Sequence, residues 1–181
     1  MSAIWADTGE RARFVDTAIA GQLASLAGQL PADEPVSDTG AGQTFSVTVR
    51  DRCQYSYSLK VGRAPMCRTG CSAVIDAKVS GGTLNAEGSL IDYNAVVLAL
   101  GATLEPLQDA DLDTYPPFAG RNATPEVVAQ YVCEGLLATI RRCCEVTPGF
   151  IRPNITRAKV TVSFSDINKA SFKKENPAGL I

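Results

Sequence analysis

The sequence predicts an α+β domain, with two helices on one face of an antiparallel sheet. Three observations carry this. Short runs that alternate apolar and polar residues lie at both ends of the chain's main body, and two longer stretches with helical spacing lie between them. The resulting order is helix, β, β, α, α, β, β, and strands and helices segregated in this way fit an α+β layer rather than a parallel βαβ sheet.

The elements follow in order. Residues from about Thr8 to Leu30 read as an amphipathic helix, with Phe14, Ile19, Leu23, Leu26 and Leu30 mainly three or four apart and alanine abundant. Pro31 stops it, and 31–43 is a linker rich in Pro, Asp, Gly and Ser. Thr44–Val49 alternates as a half-buried strand does, Tyr55–Val61 repeats the pattern more weakly, and Ala73–Val79 forms the next strand before the Gly81-Gly82 turn. Ile91–Leu104 reads as a helix on Val96, Val97, Leu100 and Leu104. After a loop with Tyr115-Pro116-Pro117, Thr124 should N-cap a second helix, with Pro125 at its first position and Glu126 in its first turn. Val128, Tyr131, Val132, Leu136 and Ile140 supply that helix's apolar face. Past Pro148-Gly149 come a strand over Ala158–Phe164 and a short one around Ala170–Lys173.

Composition narrows the function. Of 181 residues, 45% are hydrophobic and 20% charged, with a formal net charge of −2, which suits a soluble domain and announces no nucleic-acid surface. No stretch approaches the roughly 18–20 consecutive apolar residues that span a bilayer. The first residues show neither a basic leader nor an apolar signal core, so an intracellular setting, cytoplasmic or organellar, is expected over secretion. On that reading the six cysteines are free thiols rather than a disulfide framework, and the sequons at Asn122 and Asn154 carry no sugar. There is no histidine. That removes histidine-based metal sites, histidine general bases and Ser-His or Cys-His nucleophile pairs together.

Several segments carry a resemblance. Phe45–Val49 resembles an opening strand Phe-Ser-Ala-x-His, and Thr69-Gly70-Cys71-Ser72 sits where His-Gly-His-Asn/Ser would stand. Gly88–Tyr93 matches Gly-x-Val-x-Asp-Phe at the start of a helix, Leu107–Asp113 matches Leu-Asp-His-x-x-Leu-Asp, and Arg121–Glu126 matches Asn-Pro-Thr-x-Glu. Order and spacing are kept from Gly88 to Leu136. Over roughly residues 44–174 the chain resembles the 6-pyruvoyl-tetrahydropterin and 6-carboxy-tetrahydropterin synthases, whose fold is the tunnelling or T-fold. The resemblance implies a four-stranded antiparallel sheet with two helices on one face in ββααββ order. It divides the chain into an N-terminal helix and linker, 1–43, and a T-fold domain, 44–181.

The resemblance also says what is missing. The family's three zinc histidines fall on Val49, Thr69 and Cys71, its relay pair falls on Gln108 and Asp109, and Cys67 lies two residues from the slot of its cysteine. Valine offers no ligand and threonine a poor one, so zinc is expected to be absent. The family's pterin-anchoring glutamate falls on Phe164 in one register and on Asp166 in another shifted by two, which keeps the same strand face.

Two other constellations stand out in the sequence. Cys53, Cys67 and Cys71 could form a thiolate site with Asp51 or Asp109 as a fourth ligand, but no C-x-x-C pair supports it, and unlinked thiols are the expectation. Asp109, Asp111 and Asp113 lack the glycine and distal glutamate of a calcium loop, so a turn is expected there. Adjacent Cys143 and Cys144 are expected as ordinary thiols.

The expectation is a catalytically degenerate member of this family, a pseudoenzyme serving as a structural or interaction subunit. Its partners would be other proteins or copies of itself, with a pterin-like small molecule as a further candidate ligand. The alternative is a diverged pteridine-binding protein or enzyme with a rebuilt site built from Asp109, Cys71, Cys67 and Asp166. The family's hexamer of two stacked trimeric rings would have to accommodate the extra helix, which reads equally as a docking element or as a cap on its own sheet.

Overall fold

A computed structural model of the chain describes residues 43–61, 64–65, 68–147, 151–165, 167–176 and 178–181. The helix expected over 8–30, the linker before Gln43, Cys67 and Asp166 lie outside the described residues.

Four long strands form one antiparallel sheet, as the alternating runs required: β1 (Phe45–Tyr57), β4 (Thr69–Gly81), β6 (Arg157–Ser163) and β7 (Lys169–Glu175), adjacent in that order. A two-residue strand, β5 (Ala110–Asp111), adds to the free edge of β1 in parallel at Tyr55 and Ser56, so the sheet is five-stranded rather than four-stranded. Between β1 and β4 a minimal hairpin pairs β2 (Lys60–Val61) with β3 (Ala64–Pro65). Two helices, α1 (Tyr93–Leu104) and α2 (Pro125–Val146), connect the halves of the sheet.

The structure corrects several boundaries. The two runs expected as separate strands, Thr44–Val49 and Tyr55–Val61, belong largely to one strand, because Arg50–Gln54 pairs without interruption against Ser72–Asp76. That middle stretch hides its strand character by placing exposed Asp51 between buried Val49 and Cys53 on the apolar side. α1 starts at Tyr93, where the Asp92 carboxylate accepts the backbone N–H of Asn94 at 2.9 Å. Thr124 does hold the N-cap position of α2 with Pro125 following, but its hydroxyl makes no capping hydrogen bond.

Period-two alternation sets the core. Val49, Cys53 and Tyr55 of β1, Ala73, Ile75, Ala77 and Val79 of β4, and Ala158, Val160 and Val162 of β6 all turn inward and are buried. Opposite them stand Val96, Leu100 and Leu104 of α1 and Val128, Val132, Leu136 and Ile140 of α2, at helical spacing. α1 covers β1, and α2 covers β6 and β7. The helices cross at Gly135, where a Cβ would stand 2.6 Å from Cγ2 of Thr103. No helix among the described residues is long and apolar enough to cross a membrane.

Candidate functional site

The β1–β4 ladder decides which residues meet. Cys71 stands opposite Tyr55, Thr69 opposite Tyr57, and Ala73 opposite Cys53. Val49 stands opposite Ala77, six residues along β1 from Tyr55. At about 3.3 Å per residue that is roughly 20 Å. The ladder therefore does not bring Val49 to Thr69 and Cys71; the β1 position facing Cys71 is Tyr55.

Here β1 turns unusual side chains into the interior. Tyr55 is 4% exposed, and its buried hydroxyl has no nitrogen or oxygen partner. Burial holds its ionisation far above the ordinary tyrosine range, with the neighbouring Cys71 thiol adding to it. The ring of Tyr57 lies 6.1 Å from that of Tyr55. Cys53 is buried with its sulfur 3.9 Å from the carbonyl oxygen of Leu104, and burial, reinforced by Asp51, Asp109 and Cys71, pushes its thiol up to about 12. The half-buried Cys71 thiol is also raised by burial, although the Tyr55 hydroxyl beside it works in the opposite sense.

The segment after α1 closes this end. A single 3-10 turn, Glu105–Leu107, leads into Gln108, whose side-chain Oε1 accepts the Gln54 N–H at 3.2 Å. Asp109 adopts a left-handed backbone with φ of 57° and donates its N–H to the Gln54 carbonyl at 2.7 Å. A carboxylate or amide residue tolerates that conformation better than other L-residues do. Asp111 forms an ion pair with Arg68, and Asp113 accepts the Ser58 N–H at 3.1 Å. The alternating aspartates thus act as latches on the end of β1. Phe164 comes just after the last β6–β4 pair, Ser163 with Val74, which places it at the level of Ala73 and Cys53; it packs against the core.

The arrangement brings together Cys53, Tyr55, Tyr57, Cys71 and the Gln108-Asp109 corner, and leaves Val49 apart. Among the described residues no group of three or more His, Cys, Asp or Glu side chains could hold a metal ion. Zinc would need thiolates, yet burial keeps both Cys53 and Cys71 protonated, and beyond the carboxylates of Asp51 and Asp109 the neighbours are phenols, an amide and an exposed threonine. The described residues do not fit a zinc centre. Cys53, Cys71, Cys133 and Cys144 are free thiols. Sequence reasoning missed Tyr55 and Tyr57. The weaker alternation after Tyr55 was the available signal, but only the length of β1 shows that this stretch faces Thr69 and Cys71.

Comparison with known proteins supplies the frame. No curated protein sequence matches the chain. Among solved structures, 6-pyruvoyl tetrahydropterin synthase from Plasmodium vivax matches with a TM-score of 0.60 at 11% identity, covering 74% of this chain and 99% of that one. The Plasmodium falciparum synthase gives a TM-score of 0.60 at 13% identity, again over 74% of this chain and 99% of the other. The Caenorhabditis elegans synthase gives 0.57 at 16% identity, over 74% and 97%. At such identities these likenesses establish the fold. The family model for 6-pyruvoyl tetrahydropterin synthase matches residues 47–175, well over half of the chain, from the start of the long hairpin to the end of β7. A histidine-free chain with this fold, this ladder and this match belongs to the 6-pyruvoyl tetrahydropterin synthase family.

Proposed function

We propose that this protein is a catalytically degenerate member of its family, serving as a structural or interaction subunit in an assembly with other proteins or with copies of itself. One observation carries the reading. At the end of the hairpin where the family resemblance expects metal ligands, the ladder sets a buried phenol, Tyr55, against a protonated thiol, Cys71, in a chain without histidine. Neither group is ionised at neutral pH, so neither offers an anionic ligand to a cation or serves as a base there. The scaffold residues around them are meanwhile kept: Leu107 and Leu112 are fully buried, and the Asp92 cap is formed.

A second reading, a diverged pteridine-binding protein, is favoured by one feature. The Tyr55 hydroxyl is buried without an oxygen or nitrogen partner, a state that a polar ligand would relieve. Elemental analysis and a fluorescence titration with a reduced or oxidised pterin, on the purified reduced protein, separate the two. The expected result is no stoichiometric zinc and no saturable pterin binding. One zinc per chain, lost in Cys71→Ser, would overturn the proposal and make a rebuilt active site the leading reading.

A further inference from the structure

The sheet face turned away from the helices is polar, and most of its charge is cationic. In one row across it, Lys78, Lys159 and Lys173 stand directly opposite one another on three adjacent strands, all exposed. Neighbouring strands are about 4.8 Å apart, and like charges placed directly opposite destabilise a sheet. The flanking rows relieve themselves. Arg50 meets Asp76 through two hydrogen bonds, at 2.6 and 3.0 Å, and Arg157 pairs with Glu175, which Lys173 also reaches at 2.7 Å. Among the described residues no carboxylate pairs with Lys78 or Lys159. Arg52 and Lys169 extend the positive field along β1 and β7. The whole chain holds more acids, 19, than bases, 17, so this face results from segregation rather than from a basic protein.

The chemistry of the face selects its ligand. No aromatic residue stands among its outward positions, which are mainly Ser, Thr, Lys and Arg, so it offers no platform for stacking bases. The anions it already holds are carboxylates, those of Asp76 and Glu175.

We propose that the lysine row is the docking surface for the acidic segment 31–43 of this same chain. That segment contains Asp33, Glu34 and Asp38 and no lysine or arginine. It leads directly into β1, whose Thr48 is in register with Lys78. From Asp38 to Phe45 an extended chain reaches up to about 25 Å, while the row from Thr48 to Lys173 spans about 15 Å. The carboxylates are tethered within reach of all three lysines, and tethering replaces affinity with effective concentration. The contact is electrostatic and exposed, so it weakens as salt shortens the screening length below about 8 Å. While formed, it shields this face from other anionic partners.

The test uses the full-length chain. Zero-length carbodiimide cross-linking, with peptide mass spectrometry on a mixture of 14N- and 15N-labelled protein, reads which carboxylates touch which lysines and whether both lie in one chain. Same-chain links from Asp33, Glu34 or Asp38 to Lys78, Lys159 or Lys173 are expected, and they should fade at high salt. In the full-length Asp33→Asn/Glu34→Gln/Asp38→Asn variant, acetylation of Lys78 and Lys159 should become about threefold faster, the scale of a surface ion pair. Links only between differently labelled chains would overturn the proposal in favour of a contact between copies. Unchanged lysine reactivity in the triple variant would overturn it as well, as would links to other lysines only.

Discussion

The two ends of the β1–β4 hairpin are built to different rules. At the end where β1 begins, Val49, Ala77 and Val79 turn inward, aliphatic and buried, and the backbone of Gly81 packs directly on the loop that leads into β6. At the other end the inward positions are Cys53, Tyr55, Tyr57 and Cys71, and a left-handed Asp109 is pinned beside them. Both ends belong to one continuous ladder, so the difference lies in side chains and not in backbone. The first end buys stability through close packing. The second buries polar atoms that a minimal core would avoid, the Tyr55 hydroxyl and the Cys53 thiol among them.

The sharpest way to break that contrast is Gly81→Ala. A Cβ there would fall 2.0 Å from the Asn154 carbonyl oxygen and 2.8 Å from Cδ1 of Leu90, and the 154–156 segment is itself tied to β4 by the Thr156 N–H to Ser80 carbonyl bond at 2.9 Å. Backbone cannot yield as a flexible side chain does. Denaturant unfolding should show a loss of about 3 kcal/mol or more, at the upper end of overpacking costs. A loss under about 1 kcal/mol would mean that the loop repacks freely, and the rigid end of the comparison would fail.

The next effect reads the polar end through pH. Cys53 ionises at an ordinary value of 9.0 when unfolded but only at about 12 in the fold, with burial the main cause. A thiol raised in this way contributes stability that is fully present below about pH 9. That stability is lost as pH rises toward about 12, since the unfolded chain sheds its proton first. At about 1.4 kcal/mol per decade, stability should fall by roughly 2 kcal/mol between pH 9 and 11. Cys133, Tyr55 and Tyr131, all raised mainly by burial, add to the decline. Cys53→Ala should flatten the slope whatever it does to stability at neutral pH. An unchanged slope would show that water reaches Cys53.

How much of this was legible in the sequence follows the same division. The core end was readable because alternation is a direct imprint of burial: Val47, Val49, Ala73, Ile75, Ala77 and Val79 state their face by residue type. The helices were readable for the same reason, although α1, read from Ile91, starts at Tyr93 behind the Asp92 cap. The site end was not, because its interior residues are not aliphatic. Cys53 and Tyr55 look like neither core nor surface, and exposed Asp51 interrupts the pattern just before them, so β1 seemed to end near Val49. Register then could not be counted, and the ladder sets Tyr55 and Tyr57, not Val49, opposite Cys71 and Thr69. Motif order identified the family, but only strand pairing says which residues in it are neighbours.

The smallest effect is the most diagnostic of the polar end, and it needs two tyrosines. Tyr131 is half-buried on α2, and its hydroxyl shares a hydrogen bond with that of Tyr115 at 3.1 Å, within an aromatic group that includes Phe118. Tyr55 is more deeply buried, and its hydroxyl has no such partner. Removing a satisfied hydroxyl forfeits a hydrogen bond, whereas removing an unsatisfied one relieves a desolvation penalty. Tyr131→Phe should therefore cost about 1 kcal/mol, and Tyr55→Phe should be neutral or stabilise by up to about 1 kcal/mol, both read by urea unfolding of the reduced protein. The opposite signs would locate a strained polar interior at one end of the hairpin. If Tyr55→Phe is instead destabilising, the hydroxyl has a working partner in solution, the neighbouring Cys71 thiol. Repeating the measurement in Cys71→Ala would then show whether that contact accounts for the loss.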